Sequence, residues 1–502
     1  NQLQGGHPFF FISEFGMFEV ESAPTVMPDN DLTLYARYKS YSCDIEQDGI
    51  FYRFFDMEAR TVKVTSCQSS LNGYSGTLDI PATVTHNGEE YTVVGVEDGA
   101  LGIGNITSVS IPATFGTVAE KMFLGNASLE SVTLADGITA IGANAFQGCT
   151  SLVTIDLPES ITTIGAKAFN SCTALESIEI PSGVSQLQHR TFQDCSSLVN
   201  VVLPETITDL GEATFESCSS LTNINIPDAV TYINYALFRQ CSSLTSIDIP
   251  VGVTSIQGLA FWGCYDLVDV TLPNTLATIQ SEAFEHCTSL ARIVIPNSVT
   301  TISGEGDGAP FNFCRNLKTV VNLSSLSLEA GSSDYGKVAF YADKVINAPG
   351  GVVVGDYVFA TVDGVNTLVG YVGNATDIVL PENFNGQSYA IGSNAFAGNE
   401  DIVALTIPAA VTRINGGAFI GCAGLTTLRI EDGEDTLVLG CNITSEDESV
   451  YGEGLFYNIP LETLYIGRNL EYPTGKANGW SPFNRILTLT DVTFGNTVTT
   501  IG

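Results

Sequence analysis

The sequence is poor in basic side chains. Among its 502 residues, 19 Lys and Arg stand against 55 Asp and Glu, which gives a formal net charge of −36 and an isoelectric point near 4.1. Only 15 % of the residues are charged, against about a quarter in an average domain, so the acidity reflects the scarcity of Lys and Arg. Nucleic acids and anionic membrane surfaces are bound through clustered basic side chains. We therefore expect neither of them as a partner.

Histidine and long apolar runs are scarce as well. The only histidines are His7, His86, His189 and His286, and the sequence has no His-x-x-x-His motif, Gly-x-Ser-x-Gly motif or phosphate-binding loop. These absences predict a protein that is not an enzyme. No apolar run reaches the roughly 18 residues of a membrane-spanning helix, so we expect no direct membrane insertion in this segment. The sequence starts at Asn1 without a signal peptide, which indicates a mature form or a fragment.

Three residue types recur with one shared period of 23 residues. The cysteines of the regular array are Cys149, Cys172, Cys195, Cys218, Cys241, Cys264 and Cys287, and Cys314 and Cys422 hold the same place in later units. The phenylalanines are Phe123, Phe146, Phe169, Phe192, Phe215, Phe238, Phe261 and Phe284. The prolines are Pro158, Pro181, Pro204, Pro227, Pro250, Pro273 and Pro296. A common period in three residue types identifies a repeat protein.

A single unit shows how the repeat folds. Leu152, Ile155 and Leu157 follow the pattern of a short strand with alternate side chains inward. Pro158 ends the strand because it lacks an N–H group for the ladder. The chain then turns and returns, and Phe169 fills the wall opposite the strand. One unit buries too little surface to offset about 1–2 kcal/mol of backbone entropy per residue. The units must therefore stack into a solenoid with parallel strands about 4.8 Å apart.

The regular cysteines allow two interpretations. Equivalent Cα atoms of neighbouring units would lie about 4.8 Å apart, which is within disulfide range. Side chains stacked in parallel do not point at one another, however, so we favour buried free thiols that act as small apolar residues. Bridges between units remain the alternative, and a linear ladder does not match the tetrahedral zinc site. A disulfide between Cys43 and Cys67, which flank a predicted hairpin at 50–66, also stays open.

The repeat resembles a known family. The residues Ala-Phe-Glu-His-Cys-Thr-Ser-Leu at 283–290 and Ile-Pro-Asn-Ser-Val-Thr-Thr-Ile at 295–302 resemble the Treponema-type, BspA-like leucine-rich repeats. The resemblance covers about residues 76–502. It implies an α/β leucine-rich repeat solenoid with a parallel β-sheet on the concave face, short helical or irregular turns on the convex face, and interrupting β insertions. It also implies an extracellular or cell-surface location and a role in adhesion.

The departures from the period suggest a domain organisation. Residues 1–40 lie outside the array, and the stretch 23–38 resembles the closing strand of a Listeria–Bacteroides-type β repeat. We expect a β-hairpin cap at 41–75 and the regular solenoid at 76–323. A β-rich insertion follows at 324–390. A second repeat segment occupies 391–502 and contains an acidic insertion at 431–459.

The alternation of each strand predicts which side chains face solvent on the concave face. The candidate ligand-binding residues are Thr154, Asp156, Ser177, Glu179, Asn200, Asn223, Asn225, Asp248, Asp269 and Arg292. This face has no aromatic residues, although binding hot spots favour Trp, Tyr and Arg. A solvated sheet without a ligand therefore stays open as the alternative. Trp262, which we expect to be exposed on the convex side, is a separate aromatic candidate.

We expect no catalytic residue, no metal site and no cofactor. Two acidic clusters at 431–435 and 446–448 offer carboxylate oxygens to a hard cation, but neither has a full calcium-loop spacing. We therefore favour solvated acidic loops over weak Ca²⁺ binding. The favoured function is a non-catalytic recognition or adhesion protein that binds a host protein, a glycan or a neighbouring cell. The alternative is a structural spacer or surface-lattice component that presents other modules.

Overall fold

The structure, a computed structural model, describes residues 9–13, 16–20, 43–66, 73–101, 105–443, 452–479 and 481–502. The chain divides into two compact units, Asn1–Leu267 and Val268–Gly502. We call them the N-terminal and the C-terminal unit. The segment 23–38, with its resemblance to a second type of β repeat, lies outside the described residues. Cys67, which the sequence allows to form a disulfide with Cys43, also lies outside them.

Most rungs of the N-terminal unit begin with a short strand of the predicted sheet. The apolar residues of these strands are buried and the alternate residues face out, as in the pattern exposed–buried–exposed–buried of Ser131–Leu134. Equivalent residues of neighbouring rungs are in parallel register, for example Val132 with Ile155. The predicted parallel sheet is therefore confirmed. Its strands in this unit are Ser75–Asp79, Asn105–Ile111, Ser131–Leu134, Thr154–Ile155, Ser177–Glu179, Asn200–Val202 and Ser246–Asp248.

A second layer of shorter strands follows the first-layer strand in most rungs, and the sequence did not predict it. Thr163–Ile164 pairs in parallel with Ala140–Ile141, and the isoleucines point into the core. The solenoid wall thus has two strand layers connected by turns. The second-layer strands of this unit are Thr117–Val118, Ala140–Ile141, Thr163–Ile164, Tyr232–Ile233 and Ser255–Ile256, and a single bridge joins Gln186 and Asp209.

The return segment that carries phenylalanine and cysteine is turn, not helix. Its N–H groups bond to the next rung, with Phe146 N donating to Ala168 O at 2.8 Å and Gly148 N donating to Asn170 O at 2.8 Å. In the N-terminal unit, the residues two before and two after each wall phenylalanine adopt left-handed φ angles, such as 56° at Asn144. Because left-handed residues interrupt the segment on both sides of the phenylalanine, it cannot form a helix, and its N–H groups point along the stack to the next rung.

The α/β class expected from the sequence is therefore wrong for the described residues. Their single α-helix is Asp334–Lys337, and its Tyr335 has a left-handed φ of 47°. Short helical or irregular turns were expected on the face opposite the first strand layer. In the described residues, the return segments that carry phenylalanine and cysteine are irregular turns and not helices. Short 3-10 turns occur at Ala113–Phe115, Gly306–Gly308 and Lys476–Asn478.

The phenylalanines form the predicted inner wall. The side chains of Phe146, Phe169 and Phe192 are fully buried. Their rings stack on those of the neighbouring rungs at centroid distances of 5.3 and 5.5 Å, with interplanar angles of 9° and 7°. Offset stacking of this kind adds to the energy of apolar burial.

A mixed sheet precedes the regular rungs of the N-terminal unit. Its five strands lie in the order Ile45–Gln47, Ile50–Asp56, Thr61–Thr65, Glu89–Val96 and Thr83–His86. Ile50–Asp56 and Thr61–Thr65 pair antiparallel, as a hairpin does. Farther upstream, Phe9–Ser13 pairs antiparallel with Gly16–Val20.

The C-terminal unit repeats the two strand layers. Its first-layer strands are Asp269–Thr271, Arg292–Ile295, Thr319–Asn322, Lys344–Asn347, Asp377–Val379, Ala404–Ile407, Thr427–Ile430, Thr463–Ile466 and Asp491–Phe494. Its second-layer strands are Thr278–Ile279, Thr301–Ile302, Tyr389–Ile391, Val411–Ile414, Leu437–Leu439 and Leu470–Glu471.

The segment 324–390 contains both repeat strands and additional ones. Lys344–Asn347 pairs in parallel with Thr319–Asn322, so it forms a rung of the first layer. Val352–Val354, Tyr357–Val362 and Val365–Tyr371 then form an antiparallel meander. The last strand of the meander pairs in parallel with Tyr389–Ile391 and so joins the second layer. Downstream, Cys441–Ile443 pairs with Glu453–Gly454.

The regular cysteines are thiols rather than disulfides, and all nine are buried. In the rungs from Cys149 to Cys264, each Sγ donates to the carbonyl oxygen of the phenylalanine 26 residues earlier, as Cys172 does to Phe146 O at 3.2 Å. The favoured interpretation is thus confirmed, with one difference. The thiol is a hydrogen-bond donor as well as an apolar filler.

Candidate binding face

The predicted face of the first layer is solvent-accessible in both units. Of the ten candidate residues, eight are exposed, and Ser177 and Arg292 are half-buried. In the N-terminal unit, the face has a shallow depression lined by Thr154, Asp156, Ser177, Glu179 and Asn200. The depression presents hydroxyl, carboxylate and amide groups to solvent. Such a surface can form hydrogen bonds to a polar partner, but it cannot enclose a small substrate.

The face continues where the ladder of strand hydrogen bonds is interrupted. Asn223 and Asn225 are exposed, and Ile224 between them is buried, although this rung has no assigned strand. Asp248 is exposed in the next strand, Ser246–Asp248. In the C-terminal unit, Asp269 is exposed in the strand Asp269–Thr271. The alternation of side chains predicted from the sequence therefore holds along the candidate residues.

Arg292 has an intramolecular role that the sequence did not indicate. Its guanidinium Nη1 lies 3.4 Å from Asp356 Oδ1 and donates to Val372 O at 3.2 Å. Both partners belong to the segment that follows the rung Lys344–Asn347. Arg292 thus connects the first layer to the meander, and this contact competes with any contact to a ligand. Partners 64 and 80 residues away leave no local signal in the sequence.

Trp262 is half-buried rather than exposed. The guanidinium carbon of Arg239 lies 4.8 Å from the centroid of its ring, and Arg239 also pairs with Glu216. Arginine held over an indole by a carboxylate is a stable cation–π arrangement. The indole therefore contributes to the packing of the N-terminal unit, which explains why the expected exposure is wrong.

A row of polar side chains, which we call the turn-edge ladder, follows the phenylalanines of the N-terminal unit. It consists of the residues directly after five phenylalanines: Gln147, Asn170, Gln193, Glu216 and Arg239. Gln147 Nε2 donates to Asn170 Oδ1 at 3.0 Å, and Gln193 Nε2 donates to Glu216 Oε2 at 2.7 Å. Sequence reasoning missed this row, although a polar residue at the same position in successive units was a signal that could have found it.

The acidic segment 431–435 lies beside a buried cation. Arg468 is fully buried, and its guanidinium donates to Ala409 O at 2.7 Å and Pro408 O at 2.9 Å. Burial lowers the pKa of Arg468, while the charges of Asp435 and Glu431 raise it. Part of the acidic charge is therefore compensated within the protein. The second cluster, 446–448, lies outside the described residues.

Metal ligands and membrane-spanning helices are both lacking in the part of the chain that the structure describes. There, no three or more His, Cys, Asp or Glu side chains come together in a way that could hold a metal ion. In the same residues, no helix has the length and apolarity needed to cross a membrane. Of the histidines, His286 stacks on Phe313 with a centroid distance of 4.6 Å, and His86 packs edge-on against Phe54. His7 lies outside the described residues.

Comparison with known proteins identifies the repeat. The family described as BspA type Leucine rich repeat region matches in six copies, over residues 100–222, 209–333 and 371–502. These matches cover well over half of the chain. No curated protein matches it.

Several solved structures are similar to the chain. A leucine-rich repeat protein from Bacteroides ovatus is 21 % identical with a TM-score of 0.43, covering 90 % of this chain and 99 % of the other. The Treponema pallidum leucine-rich repeat protein is 26 % identical with a TM-score of 0.31, covering 48 % and 87 %. The pneumococcal vaccine antigen PcpA is 20 % identical with a TM-score of 0.42, covering 74 % and 92 %.

Proposed function

The chain belongs to the BspA type leucine-rich repeat family, and from that premise we propose that it is a non-catalytic recognition protein. It acts in the extracellular space or at a cell surface, where it binds a host protein, a glycan or a neighbouring cell. The contact is made by the outward side chains of the first strand layer. The protein uses no cofactor, and any Ca²⁺ binding is weak.

The observation that carries this proposal is the regular exposure of polar side chains along the first layer. Asp156, Glu179 and Asp248 stand on three different rungs of the N-terminal unit and all face solvent. Because the rungs repeat every 23 residues, the face offers carboxylates and amides at regular steps. An extended polar partner can bind to such a row through many weak contacts, whose individual energies are about 0.5–1.5 kcal/mol per hydrogen bond.

The charge of the face narrows the class of partner. Asp156, Glu179 and Asp248 are carboxylates, whereas the basic Arg292 is held by Asp356. A partner surface with Lys or Arg side chains, or a glycan rich in hydroxyl groups, complements this face. The absence of clustered basic residues from the sequence also argues against nucleic acid as the partner.

A saturable binding assay tests the proposal. The purified chain is presented to matrix proteins, glycans and host cells at physiological salt, with and without Ca²⁺. The face variant is Asp156→Asn, Glu179→Gln and Asp248→Asn together. Its matched control is Asp136→Asn, Glu205→Gln and Asp228→Asn, which makes the same charge change at exposed residues outside the strands. We expect saturable binding that weakens at least tenfold in the face variant, corresponding to about 1.4 kcal/mol, and is retained in the control.

The alternative function is a structural spacer that presents other modules. The inner wall of stacked phenylalanines in the N-terminal unit favours it, because such a wall stiffens this unit whether or not its surface binds a partner. A spacer predicts no saturable binding by the wild-type chain. If binding occurs but both variants retain it, recognition takes place elsewhere and the first layer is not the binding face.

A further inference from the structure

Three side chains of the C-terminal unit form a chemical triad, in which Asn312 and Glu285 are buried and Lys337 is half-buried. Asn312 Nδ2 donates to Glu285 Oε1 at 2.9 Å, and Lys337 Nζ donates to Asn312 Oδ1 at 2.9 Å. Asn312 is 2 % exposed and Glu285 is 6 % exposed. A further contact of 3.4 Å joins Asn312 Nδ2 to Asp307 O. The side-chain amide is therefore positioned between an amine and a carboxyl group, away from water.

The backbone holds all three residues in place. Glu285 and Asn312 each follow a wall phenylalanine, and the rings of Phe284 and Phe311 stack at a centroid distance of 5.2 Å. Lys337 ends the turn Asp334–Lys337, which is fixed by the hydrogen bond from Phe311 N to Gly336 O at 3.0 Å. The turn also packs tightly against Pro310. A Cβ atom added to Gly336 would lie only 2.5 Å from Pro310 Cδ, so no larger side chain fits there. The backbone that carries Lys337 is thus held beside the rung that carries Asn312.

We propose that Lys337 and Asn312 are the site of an intramolecular isopeptide bond whose formation is assisted by Glu285. The Lys337 amine attacks the Asn312 Cγ carbon, an Nζ–Cγ bond forms, and the Cγ–Nδ2 bond breaks. The amide nitrogen leaves as ammonia. Starting from the ammonium form of lysine, the products are the secondary amide and one ammonium ion, so atoms and charges balance without an oxidant, a reductant or another co-reactant.

Glu285 assists the proton transfers that this exchange requires. The ammonium proton that Lys337 Nζ donates to Asn312 Oδ1 moves to that oxygen, which frees the amine to attack Cγ. Once the Nζ–Cγ bond has formed, the Glu285 carboxylate, which contacts Nδ2, accepts a proton from Nζ and donates it to the leaving nitrogen. The proton on the oxygen finally passes to the departing ammonia, which leaves as ammonium. The fixed contact distances further lower the entropy cost of the attack.

The turn-edge ladder of the N-terminal unit shows what is special about this triad. There, Gln147, Asn170, Gln193 and Glu216 also contact one another along the rungs, but the cation at the end is Arg239. A guanidinium does not lose its proton in proteins and is no nucleophile. Only the triad of the C-terminal unit combines an amine, a carboxamide and a carboxyl group in contact, among the described residues of these two rows.

Mass spectrometry of the unfolded wild-type chain tests the proposal. We expect an intact mass lower than the sequence mass by one ammonia. Trypsin should then fail to cleave after Lys337 and should yield a branched product in which residues 293–315 are joined to residues 319–344 through Asn312 and Lys337. An intact mass equal to the sequence mass, together with release of the unmodified peptide 319–337, would overturn the proposal and leave a purely structural hydrogen-bonded triad.

Two variants assign the roles of the triad. Lys337→Arg keeps the positive charge but removes the nucleophile, and Glu285→Gln keeps the shape but removes the acid and base. We expect both folded variants to have the full sequence mass. The control Lys318→Arg changes another lysine of the same unit and should retain the loss of ammonia. If the Lys337→Arg chain still lost ammonia, the bond would involve another residue and our assignment would be wrong.

Discussion

Regular cysteines from Cys149 to Cys264, together with Cys314 and Cys422, hold their protons firmly in the folded protein because their thiol pKa values are raised. Burial is the main cause, and it raises the pKa of Cys149 from 9.0 to about 12 and that of Cys422 from 9.0 to about 11. For Cys195 and Cys218 the pKa is raised as well, by burial and by neighbouring thiols of the ladder. A protonated thiol is a poor nucleophile. The array can therefore carry nine such residues without forming bridges between rungs.

This burial makes stability depend on alkaline pH. Above pH 9 the thiols ionise in the unfolded chain but stay protonated in the folded one, so the unfolded state binds fewer protons. The stabilisation is complete below pH 9 and is lost as the pH rises toward the folded pKa values. We expect the free energy of unfolding in urea, measured under reducing conditions, to fall from pH 9 upward. The double variant Cys218→Ala and Cys241→Ala should show a shallower fall, and an identical slope would contradict the argument.

The phenylalanine wall predicts a large effect of a single truncation. Phe215 is fully buried and stacks on Phe192 and Phe238 at 5.8 and 5.7 Å. Phe215→Ala should lower the free energy of unfolding of the N-terminal unit by about 3–5 kcal/mol, because it removes apolar contacts and leaves a cavity. Tyr232→Ala, at an aromatic residue that is 46 % exposed, is the control and should cost much less. Chemical denaturation followed by circular dichroism measures both, and equal losses would contradict the assigned packing.

At the scale of the element, glycine sets how closely the second-layer rungs approach each other. A Cβ added to Gly165 would lie 2.5 Å from Ala143 N and 2.7 Å from the carbonyl carbon of Gly142. These atoms are backbone, so they cannot move aside as a flexible side chain can. The close approach lets Gly165 N donate to Ile141 O at 2.8 Å. Glycine is thus required there by packing rather than by a special φ angle.

Gly165→Ala should therefore separate two rungs locally. We expect a loss of about 1–3 kcal/mol, the usual cost of overpacking, together with faster amide exchange at Gly165 and its neighbours. Gly308→Ala is the control, since a Cβ there would meet nothing closer than Glu282 Oε1 at 4.0 Å. Hydrogen exchange and urea unfolding measure the effect. A neutral Gly165→Ala would mean that the rungs are farther apart than the structure indicates.

The elements differ in how far the sequence determines them. The first-layer strands, the phenylalanine wall and the buried cysteines were predictable, because a 23-residue period fixes the register of every unit at once. The second layer was missed because strands of two residues, such as Thr163–Ile164, are too short to show alternation. The exposure of the candidate binding face was predictable from the alternation of side chains along each strand. The contact of Arg292 with Asp356 was not, since it joins residues far apart in sequence.

On the scale of the whole molecule, the charge is the dominant property. The net charge of −36 arises because 55 acidic residues have only 19 basic partners. The ion pairs of the described residues include partly buried ones, such as Arg239 with Glu216, but the acidic side chains far outnumber the basic ones that could pair with them. Repulsion between them destabilises the folded chain at low ionic strength. The same charge repels anionic surfaces.

Salt should therefore stabilise the protein, and the kind of salt distinguishes screening from specific binding. Raising the ionic strength from about 0.01 to 0.15 M shortens the screening length from about 30 to about 8 Å, so we expect the melting temperature to rise with NaCl. KCl at equal ionic strength is the control and should give the same rise. CaCl₂ at that ionic strength should exceed both only slightly, because Asp432 already accepts a hydrogen bond from Tyr465 and Arg468 lies beside its segment. A large additional rise with Ca²⁺ that saturates at low concentration would contradict this expectation and indicate a specific calcium site.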